Sequence, residues 1–314
     1  MNERKTIDAR AGGLMLLLCL IWGFQQVTLK ATALDITPLM QIALRSGIAA
    51  VLVGALMAWQ REPLALHDGS WRPGLVVGVL FALEFLFAGE GLRHTTASHM
   101  AVFLYTAPIF AALGLHQRLP AERLRPLQWT GIALAFGGIA IAFLARRGPG
   151  GGTPSAGMWW GDLLGLLAGA TWGATTVVVR CTRLSETPAA KTLLYQLLAA
   201  FVLLLPVAVL SGQAAIRFTA LVWSSLVFQG VVVSFASFLT WFWLLRRYLA
   251  ARLGVFSFMT PLFGVAFGVL LLDEPLEASF VVGAVLVLVG ITLVSGHGWL
   301  QQAAARRAAA ALRP

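Results

Sequence analysis

Ten runs of about twenty mostly apolar residues follow one another along this chain, and no other sequence feature constrains the fold as strongly. They cover roughly residues 12–34, 38–59, 73–92, 97–117, 127–144, 159–179, 189–210, 221–245, 251–272 and 280–295. A helix needs about twenty such residues to cross the hydrocarbon of a bilayer. Within each run the hydropathy is sustained and does not alternate, which selects helices over the strands of a barrel. With 59% hydrophobic and 11% charged residues, a soluble surface could not be covered. The expected fold is therefore an all-α integral membrane protein with ten transmembrane helices.

The basic residues sit between the runs, so the net charge of +10 describes orientation and not nucleic-acid binding. With the N-terminus inside, seventeen Lys and Arg fall on the inner side and five on the outer. One, Arg45, lies within a run. That bias predicts both termini in the cytoplasm. Residues 1–11 read as a cytosolic tail and 297–314 as a basic cytosolic tail. No cleavable leader is expected, and Cys19 and Cys181 imply no disulfide framework. Trp59, Trp71, Trp159, Trp160, Trp223 and Trp299 fall where indoles anchor at membrane interfaces.

The chain repeats itself. At an offset of 150, Trp22–Gly23 aligns with Trp172–Gly173 and Thr37–Pro38 with Thr187–Pro188; seven of 17 positions are identical. At 153, Pro108 meets Pro261 and Arg93 meets Arg246; at 152, Glu122, Gly131 and Gly138 meet Glu274, Gly283 and Gly290. The Gly/Pro-rich stretch 146–158 is a linker between a first half, 12–145, and a second, 159–296. Each half holds five runs. An odd number makes the second half enter the membrane from the opposite side, so the halves form two inverted repeats, an arrangement of many secondary transporters.

The doubled five-run plan, the Trp-Gly of runs one and six, the prolines of runs four and nine and the glutamates opening runs five and ten resemble the drug/metabolite transporter superfamily, EamA type. The resemblance covers residues 12–295. It implies ten helices around a central cavity, alternating access, and export of amino acids, other metabolites or drugs across a bacterial inner membrane. Aromatic amino acids are among the substrates it suggests.

Polar residues inside an apolar run are expensive and mark candidate sites. Arg45 in run two and Glu84 in run three come to similar depth. They form either a structural ion pair or, if Glu84 faces the cavity, a substrate or proton-coupling site. Glu90 lies at the outer end of run three and reads as interfacial. Trp22 with Gln25 and Gln26 shares one helix face, as Trp172 does with Thr175 and Thr176. Each face reads either as pathway lining or as a core contact with an interhelical hydrogen bond. Tyr105, Trp241 and Gln196 complete the candidate pathway. Pro108 and Pro261 are matched bends, either hinges or static kinks. Gly161, Gly165, Gly169 and Gly173 form a face for close helix packing, with dimerisation the alternative to an expected monomer.

Glu90, His94 and His99 are too loosely spaced for a metal site. No cofactor, catalytic motif or nucleotide domain is expected, so the chain does not read as an enzyme. The expected partners are a small-molecule substrate and the lipid bilayer, with proton coupling and facilitated diffusion both left open.

Overall fold

The computed structural model describes residues 9–62, 68–120, 123–144, 155–248, 257 and 259–293. The linker 146–154, Glu122, most of the N-terminal tail and the C-terminal tail lie outside the described residues. Helix α1 covers Ala9–Ala31, α2 Pro38–Trp59 and α3 Trp71–Gly91. Next come α4 (Ala97–Leu104), α5 (Ala107–Arg118), α6 (Pro126–Leu144) and α7 (Ala156–Cys181). Helix α8 is Ala189–Leu210; α9 (Ala220–Val227) continues through a π-helical segment, Phe228–Ser237, into α10 (Phe238–Arg247). Helix α11 is Met259–Leu272 and α12 Ala278–Leu293. Among the described residues there is no strand; an antiparallel bridge joins Ile36 and Ile216.

Seven stretches are long and apolar enough to cross a membrane, counting α4–α5 as one and α9 to Trp241 as another. The shorter apolar helices are α6, α11 and α12. The start of α2 is fixed by local chemistry. Thr37 Oγ1 accepts the N–H of Met40 at 3.3 Å, and Pro38 fills the first turn, where its missing N–H costs nothing. The matching Pro188 stands at the N-cap of α8.

The fourth run is broken outright where the sequence suggests a bend. Tyr105 and Thr106 form a turn, and Pro108 lies in the first turn of α5. A proline there offers no N–H to the preceding turn and crowds its carbonyls, so α4 stops at Leu104. Pro261 is buried near the start of α11. The eighth run contains no proline, yet widens to π geometry over ten residues. Such wide turns cluster at functional sites.

Glycine faces set the helix spacing. A Cβ on Gly161 would lie 2.8 Å from the Thr95 nitrogen, and one on Gly169 or Gly173 2.8 Å from the carbonyl oxygens of Phe103 or Ala107. Helix α7 thus lies with its backbone directly against α4 and α5, as the four-residue glycine spacing implies. Gly138 and Gly283 bring α6 and α12 together in the same way. The outer surface is apolar: Val51, Leu210, Val227 and Leu270 are all exposed, as are Trp59, Trp71, Trp160 and Trp223.

Candidate functional site

The largest fully buried side chain among the described residues is Arg45, 1% exposed. It lies on α2 and faces the π segment. Its Nη1 donates to Gln229 Oε1, while Gln229 Nε2 donates to the Gln25 carbonyl (2.9 Å) and to Thr28 Oγ1 (2.7 Å) on α1. One turn away, Gln41 Nε2 donates to Ser225, and Thr32 Oγ1 donates to Gln41 Oε1 at 2.8 Å. The two ladders tie α1, α2 and the α9–π span together. They are the expected price of burying amide and guanidinium groups, which must be satisfied inside.

On its other side the Arg45 guanidinium lies over the Phe85 ring, 4.4 Å from its centroid. Glu84, the residue before Phe85, is buried. Arg45 and Glu84 act on each other electrostatically, but no ion pair within 4.0 Å joins them. Glu84 also acts on Tyr105, at the break between α4 and α5. Tyr105 meets Trp172 edge to face, centroids 5.2 Å apart.

Trp22 belongs to a separate group. Its Nε1 donates to Ser237 Oγ at 2.9 Å, and its ring meets Trp241 at 5.7 Å, edge to face. The two tryptophans of the repeat, Trp22 and Trp172, are therefore not brought into ring contact. Gln25 and Gln26 are buried; Gln25 contributes its carbonyl, and Gln26 Oε1 has no hydrogen-bond partner among the described residues. Gln196 is buried on α8, which packs on α2 and α3. Glu90 is held at the helix end by Arg93 (2.7 Å), His94 (3.4 Å) and Gln213 (3.1 Å).

Several polar residues escaped the sequence reading. Gln229 is one, since an uncharged residue within an apolar run gives little signal. Asp162 in the first turns of α7 is fully buried and accepts from Thr95 Oγ1, with His99 Nδ1 at 3.1 Å. Glu274, which the repeat already singles out as opening run ten, accepts the N–H groups of Ala97 (2.6 Å) and Ser98 (2.9 Å) at the start of α4. Lys30 Nζ donates to the carbonyls of Leu92 and Thr95, at 2.5 and 2.7 Å. Helices α1 and α7 and the α11–α12 connection thus clamp the α3–α4 connection. At the opposite end Lys191 bonds Asp68 at 2.6 Å. That bond, with those from Ser70, holds the Asp68 carboxyl well below the usual carboxylate range.

A groove of about 320 Å³ opens between α1, α9 and α11. Phe24, Val27, Leu221, Phe228 and Leu272 make it apolar, and Thr28, Thr32 and Ser225 form its polar floor. Those hydroxyls are the outer rungs of the two ladders, so the groove ends on the hydrogen-bond chain that reaches Arg45.

Comparison with known proteins gives these features a setting. The EamA-like transporter family matches residues 10–144 and 159–296. An uncharacterized transporter of Bacillus subtilis, YoaV, is 24% identical over 87% of this chain and 92% of its own. A protein of Escherichia coli named a probable amino-acid metabolite efflux pump is 28% identical over 93% of this chain and 97% of its own. A crystal structure of a protein superposes with a TM-score of 0.64 at 20% identity, covering 91% of this chain and 96% of that one; it shares the fold. This multi-pass membrane protein belongs to the EamA-like transporter family.

Proposed function

We propose that the chain is a secondary transporter of a bacterial inner membrane that exports small amphipathic metabolites, amino acids foremost. Ten helices in two inverted repeats, 12–145 and 159–296, would rock about a central site, with both termini in the cytoplasm. The observation that carries this reading is the buried polar centre: Arg45, Gln229 and Glu84 lie among apolar helices, where polar groups mark substrate or ion pathways.

The packing pattern supports the inverted repeat. Helix α3 packs on α7 and α8; its counterpart, the α9–π span, packs on α1 and α2. Helices α4 and α5 lie on α7, and α11 lies on α1. The amino-acid assignment draws on the relatives in Escherichia coli and Salmonella typhimurium named probable amino-acid metabolite efflux pumps. The aromatic pair of Tyr105 and Trp172, 5.2 Å apart and edge to face, favours, as a second reading, a drug-like cation.

Counterflow in proteoliposomes tests the proposal. Liposomes loaded with unlabelled amino acids should accelerate entry of a labelled one, because a carrier must return its site. Entry that neither saturates nor responds to internal substrate would replace the carrier by a channel. Acceleration by organic cations alone would select the second reading.

A further inference from the structure

Two ionisable side chains of opposite kind are buried in this core with no ion pair between them. Arg45 is 1% and Glu84 5% exposed. Arg45 spends Nη1 on Gln229, and its Nε has no hydrogen-bond partner among the described residues. No described residue forms a hydrogen bond with the Glu84 carboxylate, and no ion pair within 4.0 Å includes it. A buried ion left unpaired costs several kcal/mol, so a purely structural pair would be expected to close. The two groups are nonetheless neighbours. The ring of Phe85, next to Glu84 in sequence, lies 4.4 Å from the Arg45 guanidinium carbon, and the two charges act on each other.

We propose that Arg45 and Glu84 are the two poles of one site for a zwitterion, an α-amino acid whose carboxylate bonds the guanidinium and whose ammonium bonds the Glu84 carboxylate. This rests on the transporter reading above and names how its substrate class is recognised. The guanidinium is a planar fork that suits a carboxylate, and Gln229 and Phe85 hold it from two sides. An amino acid brings both complementary charges on one small frame and leaves the site neutral. A contact ion pair would have to be broken before either end could bind; the open arrangement avoids that cost. Phe81 and Phe85, edge to face at 4.7 Å, give an apolar wall for a side chain.

The test uses the full-length protein in proteoliposomes. Once a panel of labelled amino acids has identified one that shows counterflow, competition is measured with that amino acid, its methyl ester and its N-acetyl derivative. The ester lacks the carboxylate and the acetylated form lacks the ammonium. Each should compete at least about tenfold more weakly, because each leaves one buried charge unpaired. Arg45→Gln should raise KM for the zwitterion while erasing the preference over the methyl ester. Glu84→Gln should erase the preference over the N-acetyl form. Arg45→Lys, which keeps the charge and loses the fork, should raise KM for the zwitterion while keeping a preference over the methyl ester. Counterflow of an amino acid with equal competition by both derivatives overturns this inference and leaves the transporter reading standing. Absence of counterflow for every amino acid overturns the amino-acid assignment and this inference together. The wild-type competition decides the matter even if every variant fails to fold.

Discussion

The amide of Gln229 serves Arg45 and Gln25 at once: its oxygen accepts from the guanidinium and its nitrogen donates to the Gln25 carbonyl at 2.9 Å. One uncharged side chain on the π segment thereby joins α1 to α2. Gln229→Leu would leave a buried guanidinium without this acceptor. The expected loss is about 2 kcal/mol, the scale of a hydrogen bond to a charged group, read as a lower unfolding temperature in detergent. Gln229→Glu, which offers Arg45 a carboxylate, should retain more of the stability than Leu does.

Trp22→Phe keeps an aromatic ring against Trp241 and removes the bond to Ser237. Interhelical hydrogen bonds in membranes average about 0.6 kcal/mol, so stability should change little. Counterflow should fall if Trp22 lines the pathway and hold if it is a core contact.

The glycine face of α7 should not accept side chains. Gly169→Val would set a Cβ 2.8 Å from the Phe103 carbonyl oxygen and force α7 off α4. Overpacking of this kind costs about 1–3 kcal/mol. Gly54→Ala, where nothing lies within 4 Å of the added Cβ, is the control and should unfold like the wild type.

The Asp68–Lys191 contact predicts a particular pH response. Asp68 has a depressed folded pKa, so its contribution is complete above the unfolded value and is lost as pH falls through the folded one. Unfolding temperature should therefore show no pH dependence from this pair between neutral pH and about 4, the ordinary aspartate value, and decline only below that. Asp68→Asn should remove that portion of the acid-side decline. An unchanged acid limb in the variant would show that the contact contributes nothing to stability.

Asp162→Ala removes the acceptor that Thr95 and His99 share. Amide hydrogen exchange in residues 92–99 should quicken, while exchange in α2 and α8 stays as it was. Equal exchange in wild type and variant would show that Asp162 does not hold the connection.

Much of the helix plan was legible because its signals are local. The Thr–Pro pairs preceding α2 and α8 mark starts that the structure reproduces at Pro38 and Ala189. The glycine spacing of α7 revealed its packing face. The interruption at Tyr105–Thr106 was legible only as a bend, since Pro108 signals a lost hydrogen bond but not how the chain reroutes. The π segment left no trace, because its run carries no proline and reads as an ordinary apolar span. Reading by charge singled out Arg45 and Glu84 yet passed over Gln229, and averaging hydropathy over a run hid Asp162. A polar side chain reveals its role only when the helix opposite supplies its partner.

Ten residues wound to π geometry hold the chain wider than an α-helix needs. Each π-bulge in such a segment that relaxed to α winding would shift the register beyond it by one residue, a turn of about 100°. Gln229 stands near the beginning of this segment and Ser237 at its end, with Trp241 just after it. A change of winding could therefore leave the grip on Arg45 in place while swinging the Trp22 contacts to another side of the helix, so that the span would work as a rotary coupling with one end fixed.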